Sequence, residues 1–383
     1  MTQGPDVLLV TDPRFAGGTT SAVIADADAF LALGAKVGLM CVHSAYLADM
    51  GDAPNPQIVE LLDRDGVVPV PATGTARADI AFLHHPMVFF HGTRERVRIK
   101  TERTVLVTHH VPFRGDGSLE YDPLKTQRRI RRDFGTTPLW APISGICRRQ
   151  LASFQPLIRL TSEDWTNIFD LAQWAPTRQI FETPDLVVGR HGRADVLKWP
   201  ETAGRISASL PAGPGVQVRV MGCPVEDLQA LGTDMSSWDM VPFGAEPVAR
   251  FLDSLDVFSY FHHPRWVETF GRTVAEAAMM GRLCILEPGL EATFGEIGLY
   301  CAPSDVAALL ARMRDDPDAA RAQGAKAREM ACARYGREVV AGRMARLRMD
   351  NGQRARKDPA VPALSTARKL VGLYRRRARG MHG

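Results

Sequence analysis

Several features that define whole classes of protein are missing from this sequence. No apolar run approaches the ~18–20 residues of a membrane-spanning helix. The six cysteines are scattered and form no CxxC pair, so they indicate reduced, buried thiols rather than disulfides. The first residues lack the basic start and the cleavage site of a signal peptide. We therefore expect a cytoplasmic protein without a disulfide framework or a membrane-spanning segment.

A uniformly basic surface is also missing. The formal net charge is only +4, but it is unevenly distributed. The segment from Arg343 to the C-terminus holds 12 basic and 2 acidic residues, a net charge of +10, which leaves −6 for the preceding body. A mildly acidic body with a basic tail argues against a protein that binds nucleic acid.

The length of 383 residues predicts more than one domain, because single hydrophobic cores stop growing near about 250–300 residues. Short apolar runs alternate with helix-like periodicity in both halves, which predicts the α/β class with open parallel sheets. We predict two Rossmann-like domains and a basic tail, at residues 1–178, 179–342 and 343–383. The predicted strands are 6–10, 36–41, 67–70, 80–83, 104–108, 139–144, 185–188, 216–221, 255–260, 283–286 and 298–301.

Two carboxylates eight positions apart, Glu268 and Glu276, stand between two short apolar runs, in the order strand, loop, helix, strand. Gly271 lets the backbone approach a ligand closely. The free amides at the start of the following helix, from Arg272 to Val274, can hold phosphate oxygens. Glu268 in the loop can reach a sugar, and Glu276, one turn into the helix, can accept hydrogen bonds from the vicinal hydroxyls of a ribose.

This element resembles the E-x7-E element of retaining glycosyltransferases with the GT-B fold, in particular family GT4 (glycosyl transferases group 1). In that family the first Glu contacts the transferred sugar and the second contacts the nucleotide ribose, which implies those roles for Glu268 and Glu276. The resemblance follows the order of the chain from Val7 to about Tyr335 and is specific between Val187 and Pro303. It implies two Rossmann-like domains that face a central cleft. The alternative is a loop charge at Glu268 and a solvated helix residue at Glu276.

A strand that ends in Gly-Arg and is followed by a lysine forms the second resemblance. Arg190 ends the run Val-Val-Gly-Arg, and Lys198 follows in Lys-Trp-Pro. In family GT4 the corresponding Arg and Lys neutralise the diphosphate. Cleavage of a sugar–diphosphate bond leaves growing negative charge on the leaving oxygen, and paired cations stabilise that charge. The gap between the two cations is longer here than the commonest family pattern, and two surface cations are the alternative.

The first half of the chain carries weaker resemblances. Gly17-Gly18, after the first predicted strand, matches the family's N-terminal diphosphate loop, although such pairs are often plain turns. In many members a His stands just past the strand that residues 104–108 resemble, close to the sugar and the acceptor. The spacing favours His110, with His109 nearly as suitable, and a structural hydrogen-bonding role is the alternative.

Two patterns mimic metal sites. Asp26-Ala-Asp28 looks like the DxD of the other major glycosyltransferase fold, but residues two apart in a helix point in nearly opposite directions. Three His-His pairs stand at predicted strand ends, with no carboxylate or Cys at a usual ligand spacing. We therefore expect no metal site and no cofactor.

These residues, with the resemblance, predict a retaining, metal-independent glycosyltransferase of the hexosyltransferase type that uses a nucleotide-diphospho-sugar. The residues predicted to act in transfer are Glu268, His110, Arg190 and Lys198. The residues predicted to bind the donor are Gly17, Gly18, Phe270, Gly271, Arg272, Thr273, Val274 and Glu276. The resemblance implies a glycan or lipid-linked acceptor in cell-envelope polysaccharide synthesis. The alternatives are a nucleotide-sugar epimerase or hydrolase of the same fold, which would turn over donor without acceptor, and a non-catalytic scaffold.

The basic tail contains an amphipathic pattern. Apolar residues fall on one face of a helix, at Ala367, Leu370, Val371, Tyr374 and Ala378. Cations surround that face, at Arg368, Lys369, Arg375, Arg376 and Arg377. This pattern predicts a short helix that lies on an anionic membrane surface at the cytoplasmic side. A solvated tail, or a last helix packed on the body, is the alternative.

Overall fold

The computed structural model describes residues 4–155, 157–352 and 363–378. Contacts divide these residues into two units. The first unit comprises the residues up to Phe169 and those from Arg337 onward, and the second unit runs from Asp170 to Gly336. Each unit is built on its own parallel sheet with helices between the strands.

The first unit contains a seven-stranded parallel sheet and a separate pair of parallel strands. In chain order its strands are β1 (Val7–Thr11), β2 (Val37–Cys41), β3 (Val67–Pro69), β4 (Thr75–Arg77), β5 (Ile80–His84), β6 (Arg98–Lys100), β7 (Arg103–Thr108), β8 (Leu139–Pro142) and β9 (Arg159–Leu160). The large sheet has the order β3-β2-β1-β5-β7-β8-β9, and β4 pairs with β6. Its central strands are buried along their whole length because they are covered by helices.

The helices of the first half connect these strands. They are α1 (Gly18–Ala32), α2 (Pro56–Leu62), α3 (Pro86–His91), α4 (Pro123–Phe134) and α5 (Gly145–Ala152), with 3-10 helices at Ala45–Met50 and Leu171–Gln173, the latter in the second unit. Polar side chains begin several of them. Asp122 accepts hydrogen bonds from the first amides of α4, and Ser144 accepts one from Cys147 at the start of α5. Gly135 ends α4 in the left-handed region at φ 69°.

The second unit contains a six-stranded parallel sheet. Its strands are β10 (Leu186–His191), β11 (Val216–Met221), β12 (Trp238–Val241), β13 (Val257–Tyr260), β14 (Leu283–Leu286) and β15 (Gly298–Tyr300), in the order β12-β11-β10-β13-β14-β15. Its α-helices are α6 (Ala203–Ser209), α7 (Val225–Ala230), α8 (Val248–Asp253), α9 (Arg272–Met279), α10 (Glu291–Phe294), α11 (Val306–Asp315) and α12 (Pro317–Tyr335). Short 3-10 helices occur at Val196–Lys198, Pro288–Leu290, Gly295–Ile297 and Pro303–Asp305. A hydrophobic core of its own joins the sheet to the helices.

The chain returns to the first unit after α12. A 3-10 helix at Arg337–Val339 leads into α13 (Val340–Met349), and α14 (Ala363–Ala378) follows. Arg343 on α13 is buried and donates to the carbonyl and the hydroxyl of Thr166. Leu373 on α14 is 2% exposed and belongs to the core of the first unit. These contacts explain why residues 337–378 cluster with the first unit, whereas the sequence analysis places boundaries at 178/179 and 342/343.

Candidate functional site

In the second unit, a predicted cation and a tyrosine that was not predicted lie at the carboxyl ends of two neighbouring strands. Arg190 lies near the end of β10, and Tyr260 is the last residue of β13. The two strands pair in parallel, so their carboxyl ends lie at the same edge of the sheet. Ligands of open α/β sheets bind outside this edge. We call Arg190, Lys198, Tyr260, Trp266 and Glu268 the strand-end cluster.

Arg190 is buried, with 3% of its surface exposed. Its guanidinium carbon lies 4.2 Å from the ring centroid of Trp199 and 4.7 Å from that of Tyr260. Its η nitrogens donate to the carbonyls of Phe261 at 2.9 Å and Lys198 at 2.6 Å. Burial lowers the pKa of Arg190 to about 10, so it remains a cation at neutral pH. The strand end therefore contains a fixed positive charge held between two rings.

Lys198 and Glu268 form an ion pair beside this buried cation. The ammonium nitrogen of Lys198 lies 3.7 Å from Oε2 of Glu268. The hydroxyl of Tyr260 donates to the same oxygen, and the indole N–H of Trp266 donates to it at 3.3 Å. Burial raises the pKa of Glu268, but Lys198 and the hydroxyl of Tyr260 outweigh that effect, so its pKa lies below the ordinary value. Glu268 is therefore held as a carboxylate.

The start of α9 has the geometry that the glycine predicts. Gly271 precedes the helix with φ 81°, in the left-handed region, and a Cβ there would lie 3.1 Å from Cε2 of Phe294. The amide of Val274 donates to the carbonyl of Gly271. Within the described residues, the amide of Thr273 makes no hydrogen bond. The ring of Phe270 is 4% exposed and packs on Tyr335, so Phe270 can offer a ligand its backbone rather than its ring.

Glu276 lies on α9 and is 6% exposed. Its Oε1 accepts a hydrogen bond from Nε of Arg272 at 2.9 Å. Its Oε2 lies 3.3 Å from Nε2 of His191, the last residue of β10. Arg272 therefore holds the carboxylate that the sequence predicts to bind a ribose, while Nε2 of His191 lies beside it without making a hydrogen bond to any described residue.

The predicted residues of the first half lie at the carboxyl ends of the other sheet. Gly17 precedes α1 with φ 72°, and Gly18 is the first residue of that helix. Both glycines are exposed, and a Cβ on Gly18 would meet nothing within 4 Å. Open backbone at a helix start fits an anion contact.

His110 is partly exposed and lies beside a carboxylate. Its Nε2 is 3.5 Å from Oε2 of Glu120, and Nε of Arg114 donates to the other oxygen of that side chain. Burial raises the pKa of Glu120, but the hydrogen bonds from His110 and Arg114 outweigh it and lower the pKa to about 2. His109 has different partners, since its Nε2 lies 3.0 Å from Nδ1 of His84.

Several polar and aromatic residues of these clusters escape prediction from the sequence. They are Trp199, Tyr260, Trp266 and His191. Tyr260 could have been found, because it ends the predicted strand 255–260 of a parallel sheet, where side chains reach the ligand-binding edge. His191 lies three residues beyond the predicted strand 185–188, and only the structure extends β10 to it. Trp199 and Trp266 lie in loops, and nothing in their spacing indicates which side chain they contact.

The described residues contain neither a metal-binding group nor a membrane-spanning helix. In residues 4–155, 157–352 and 363–378, no group of three or more His, Cys, Asp or Glu side chains is arranged to hold a metal ion. Asp26 contacts Trp165, whereas Asp28 pairs with Arg64, so the two acids have separate partners. No helix in the described part of the chain is long and apolar enough to cross a bilayer.

No protein-family model and no curated protein matches the chain. Solved structures do match it. The structure of Anabaena Alr3699/HepE in complex with UDP aligns with a TM-score of 0.61 at 14% identity, over 89% of this chain and 98% of that one. AviGT4, a glycosyltransferase involved in avilamycin A biosynthesis, aligns at 0.52 and 17% identity, over 90% and 96%. WaaG, a glycosyltransferase involved in lipopolysaccharide biosynthesis, aligns at 0.52 and 13% identity, over 85% and 95%.

These matches confirm the predicted α/β class and the GT-B fold. At these identities the likeness concerns the fold, and one fold can support different reactions. The function has to be argued from the side chains of this chain.

Proposed function

We propose that this protein is a retaining, metal-independent glycosyltransferase that moves a sugar from a nucleotide-diphospho-sugar to a glycan or lipid-linked acceptor. The observation that supports this most directly is the strand-end cluster, where Lys198 and the buried Arg190 lie beside the carboxylate of Glu268. Cations can stabilise a diphosphate leaving group, and a carboxylate can orient sugar hydroxyls. The GT-B fold supports the same reaction class.

On the donor side, each group has a role that its geometry allows. Lys198 and the amides at the start of α9 hold the diphosphate, since α9 begins at a glycine that leaves the backbone open. The η nitrogens of Arg190 already donate to carbonyls, so Arg190 does not need to contact the diphosphate. Its buried charge adds positive potential to the site. Glu276 accepts from the ribose hydroxyls and shares that carboxylate with Arg272.

On the sugar side, Glu268 and the backbone at Phe270-Gly271 orient the ring. Glu268 is a poor nucleophile, because Tyr260, Trp266 and Lys198 all engage one of its oxygens. A front-face reaction therefore fits better than a covalent intermediate. In it the acceptor attacks an oxocarbenium-like centre from the face that the leaving group departs. A histidine of the first unit, His110 or His109, assists the sugar or the acceptor.

Similar structures contain ligands that suggest a donor for this protein. Anabaena HepE is described in complex with UDP, with UDP and glucose, and with UDP-glucose. WaaG is described as acting in lipopolysaccharide biosynthesis. We propose a uridine diphosphate sugar as the first donor to test and a cell-envelope glycan as the acceptor class.

We also propose that α14 contacts an anionic membrane surface. The helix is attached to the first unit by Leu373, by Lys369 over the ring of Phe113 and by Arg376, which donates to the carbonyl of Gly117 at 2.6 Å. Its other side leaves Val371 49% exposed and Tyr374 72% exposed. Exposed apolar residues beside Arg368 and Arg375 match a surface-binding helix. Such a location would serve a lipid-linked acceptor.

The test combines binding with turnover. Thermal unfolding is measured with UDP, GDP and ADP and with their sugars, with and without EDTA. A ligand at about 100 times its dissociation constant stabilises by roughly 2.7 kcal/mol, which such a measurement detects readily. Turnover is then measured with and without added acceptor, and the anomeric configuration of the product is read by NMR. No stabilisation by any nucleotide would overturn the proposal, and turnover without acceptor would favour the epimerase or hydrolase.

A further inference from the structure

Three titratable side chains follow one another as a chain in the first unit, two of them buried, and the proposed function uses only the last of them. Asp26 on α1 is 4% exposed, and His84 at the end of β5 has no exposed surface. Oδ2 of Asp26 lies 3.7 Å from Nε2 of His84. Nδ1 of His84 lies 3.0 Å from Nε2 of His109, just beyond β7. The order is therefore carboxyl, imidazole, imidazole, from the helix to the carboxyl edge of the sheet.

The far end of this chain is fixed by Trp165. Its indole N–H donates to the two oxygens of Asp26 at 3.1 and 3.3 Å. Arg343 is the cation that acts on Asp26 from α13, while its guanidinium donates to Thr166. Nε2 of His84 is buried and has no hydrogen-bond partner at ordinary geometry, so Asp26 is the polar group placed to serve it.

The near end of the chain leaves one atom of His109 for other partners. His85 stacks on His109 with centroids 6.0 Å apart and packs against Phe15 on its other side, with a strained backbone at φ 74°. Nε2 of His109 is engaged by His84. Among the residues that the structure describes, Nδ1 of His109 makes no hydrogen bond, and the side chain is partly exposed.

Both imidazoles of the chain are neutral near pH 7. Burial, with a smaller contribution from His109, lowers the pKa of His84 well below its ordinary value. Burial and the nearby His110 lower the pKa of His109 to about 3. Two neutral imidazoles in hydrogen-bond contact share one proton, so one ring must donate and the other must accept. The tautomers of His84 and His109 are therefore coupled.

The coupling allows two patterns. If Asp26 is a carboxylate, Nε2–H of His84 faces it, Nδ1 of His84 accepts from Nε2–H of His109, and Nδ1 of His109 is a free acceptor. If Asp26 is protonated, the negative charge that favours a proton on Nε2 of His84 is removed. His84 can then carry its proton on Nδ1 and donate to Nε2 of His109, and Nδ1 of His109 becomes a donor. Burial raises the pKa of Asp26 to about 7, against the opposing effects of Trp165 and Arg343, so both patterns are accessible near neutral pH.

We propose that Asp26 and His84 are positioning residues that set which nitrogen of His109 carries its proton, and that His109 uses Nδ1 to accept a hydrogen bond from a substrate hydroxyl. We call the coupling from Asp26 through His84 to His109 the relay, and it is argued from side-chain contacts. The substrate hydroxyl rests on the proposed function. The proposal assigns the substrate contact to His109, while His110 faces Glu120. A buried Asp–Trp contact that only stabilises the fold would leave the tautomer of His109 unaffected by the charge of Asp26.

The experiment reads the tautomer directly. Long-range ¹H–¹⁵N NMR spectra of the full chain are recorded between pH 6 and pH 8.5, with H109Q used to assign the signals of His109. The test variant is Asp26→Asn, whose carbonyl can still accept from Trp165 and which removes the negative charge 3.7 Å from Nε2 of His84. The matched control is Asp28→Asn, on the same helix, where the carboxylate is 40% exposed and pairs with Arg64.

The wild type and Asp28→Asn should show His109 protonated on Nε2 at pH 8.5, with a shift toward Nδ1 as the pH falls through about 7. Asp26→Asn should show Nδ1 protonation at every pH. A wild-type tautomer in Asp26→Asn overturns the relay. If Asp26→Asn fails to fold, His84→Gln is the test variant. In His84→Gln, the NMR spectra should show both tautomers of His109, in a ratio that does not change with pH.

Turnover gives the second measurement. Asp26→Asn should lower kcat about tenfold, the size of one lost hydrogen bond, and should leave the donor KM nearly unchanged. In a plot of kcat against pH, Asp26→Asn should also lack the inflection near pH 7 that Asp28→Asn retains. A kcat equal to that of Asp28→Asn would overturn the substrate contact while leaving the relay intact. A protein with no transferase activity at all would remove the proposed function, and the NMR result would still decide the relay.

Discussion

Glu268 and Lys198 form an ion pair in which Oε2 of the carboxylate lies 3.7 Å from the ammonium nitrogen. The same oxygen accepts from Tyr260 and Trp266, so Glu268 keeps two donors when Lys198 turns to another anion. Lys198 is 19% exposed, whereas Arg190 is buried against its own carbonyl partners. Lys198 is therefore the cation of the strand-end cluster that is free to move onto a diphosphate.

Replacing Lys198 by alanine should reduce activity far more than stability. Loss of one charge-assisted contact of about 1.5–3 kcal/mol predicts a ten- to hundredfold fall in kcat/KM for the donor. The matched control is Lys326→Ala, which breaks the exposed pair with Glu296 and should leave kcat/KM unchanged. Steady-state kinetics below saturation give the comparison, and equal kcat/KM in the two variants would contradict a diphosphate role.

The two acids of the second unit should have separable roles. Glu276→Gln should weaken binding of bare nucleoside diphosphate, because a ribose contact is made with or without the sugar. Glu268→Gln should leave that binding nearly intact and lower turnover. Calorimetry with the diphosphate and kinetics with the complete donor distinguish the two roles. Weaker binding of the bare diphosphate by Glu268→Gln than by Glu276→Gln would contradict this assignment.

A methyl group at Gly271 should lower the free energy of unfolding by more than backbone strain alone accounts for. Gly271 has φ 81°, and an added Cβ would lie 3.1 Å from Phe294. Gly34 has φ 76° with nothing within 4 Å, so Gly34→Ala measures the strain without a clash. We expect about 1–2 kcal/mol of destabilisation for Gly34→Ala and a larger loss for Gly271→Ala, measured by urea unfolding.

The same pair of variants tests the ligand role of the backbone at Gly271. Gly271→Ala should weaken binding of a nucleoside diphosphate, because the start of α9 is displaced. Gly34→Ala should bind it normally, since Gly34 lies just beyond the end of α1. Equal nucleotide affinity in the two variants would argue against a phosphate contact at α9.

Glu120 should make stability depend on pH in the acid range. Its folded pKa of about 2 lies below the ordinary value of 4.5, so its contribution is complete above pH 4.5 and is lost as the pH falls toward 2. The shift corresponds to at most about 3 kcal/mol at pH 7, of which about 1 kcal/mol is lost by pH 3.5. Glu120→Gln should therefore be less stable than the wild type at pH 7, and the gap should narrow at pH 3.5.

Urea unfolding at the two pH values measures this gap. Glu60→Gln serves as the control, because Glu60 is an exposed residue of α2. A constant difference between Glu120→Gln and the wild type across the range would show that His110 and Arg114 do not stabilise the ionised form.

Surface binding by α14 should depend on its exposed side. The double variant with Val371→Ser and Tyr374→Ser should retain wild-type stability, because both side chains are exposed. It should sediment less with anionic liposomes than the wild type at low salt, and high salt should release both. Val59→Ser, at an exposed position of α2, is the control. Equal sedimentation of the double variant and the control would exclude α14 as the contact.

Much of the fold follows from local sequence. The predicted strand at 283–286 matches β14, because a buried parallel strand is an unbroken apolar run between turn residues. The predicted strand at 216–221 matches β11, where apolar residues alternate with Gln217 and Arg219. The short strands β4 and β6 are not predicted, since each has three residues of which only the middle one is buried. β12 was missed as well, because Trp238–Val241 includes an exposed Asp and lies at the sheet edge.

Contacts between distant residues could not be predicted in this way. Trp165 reaches Asp26 across 139 positions, and Arg190 is enclosed by two rings, one from the loop at Trp199 and one from the end of β13 at Tyr260. The tail illustrates the same limit. Its helical spacing suggested one apolar face, but the structure buries Leu373 on a different side and leaves Val371 and Tyr374 exposed. Ala378, also assigned to that face, has a side chain outside the described part.

The return of the chain to the first unit sets an order for folding during synthesis. Residues 170–336 form a continuous unit and can fold as soon as they leave the ribosome. The first unit has to wait for α13 and α14, which are translated after the whole second unit, a delay on the order of 10–30 seconds at ordinary elongation rates. During that interval the surface that Leu373 later covers is open to chaperones and to aggregation, so slow translation of the second unit should lower the yield of folded protein more than slow translation of the first.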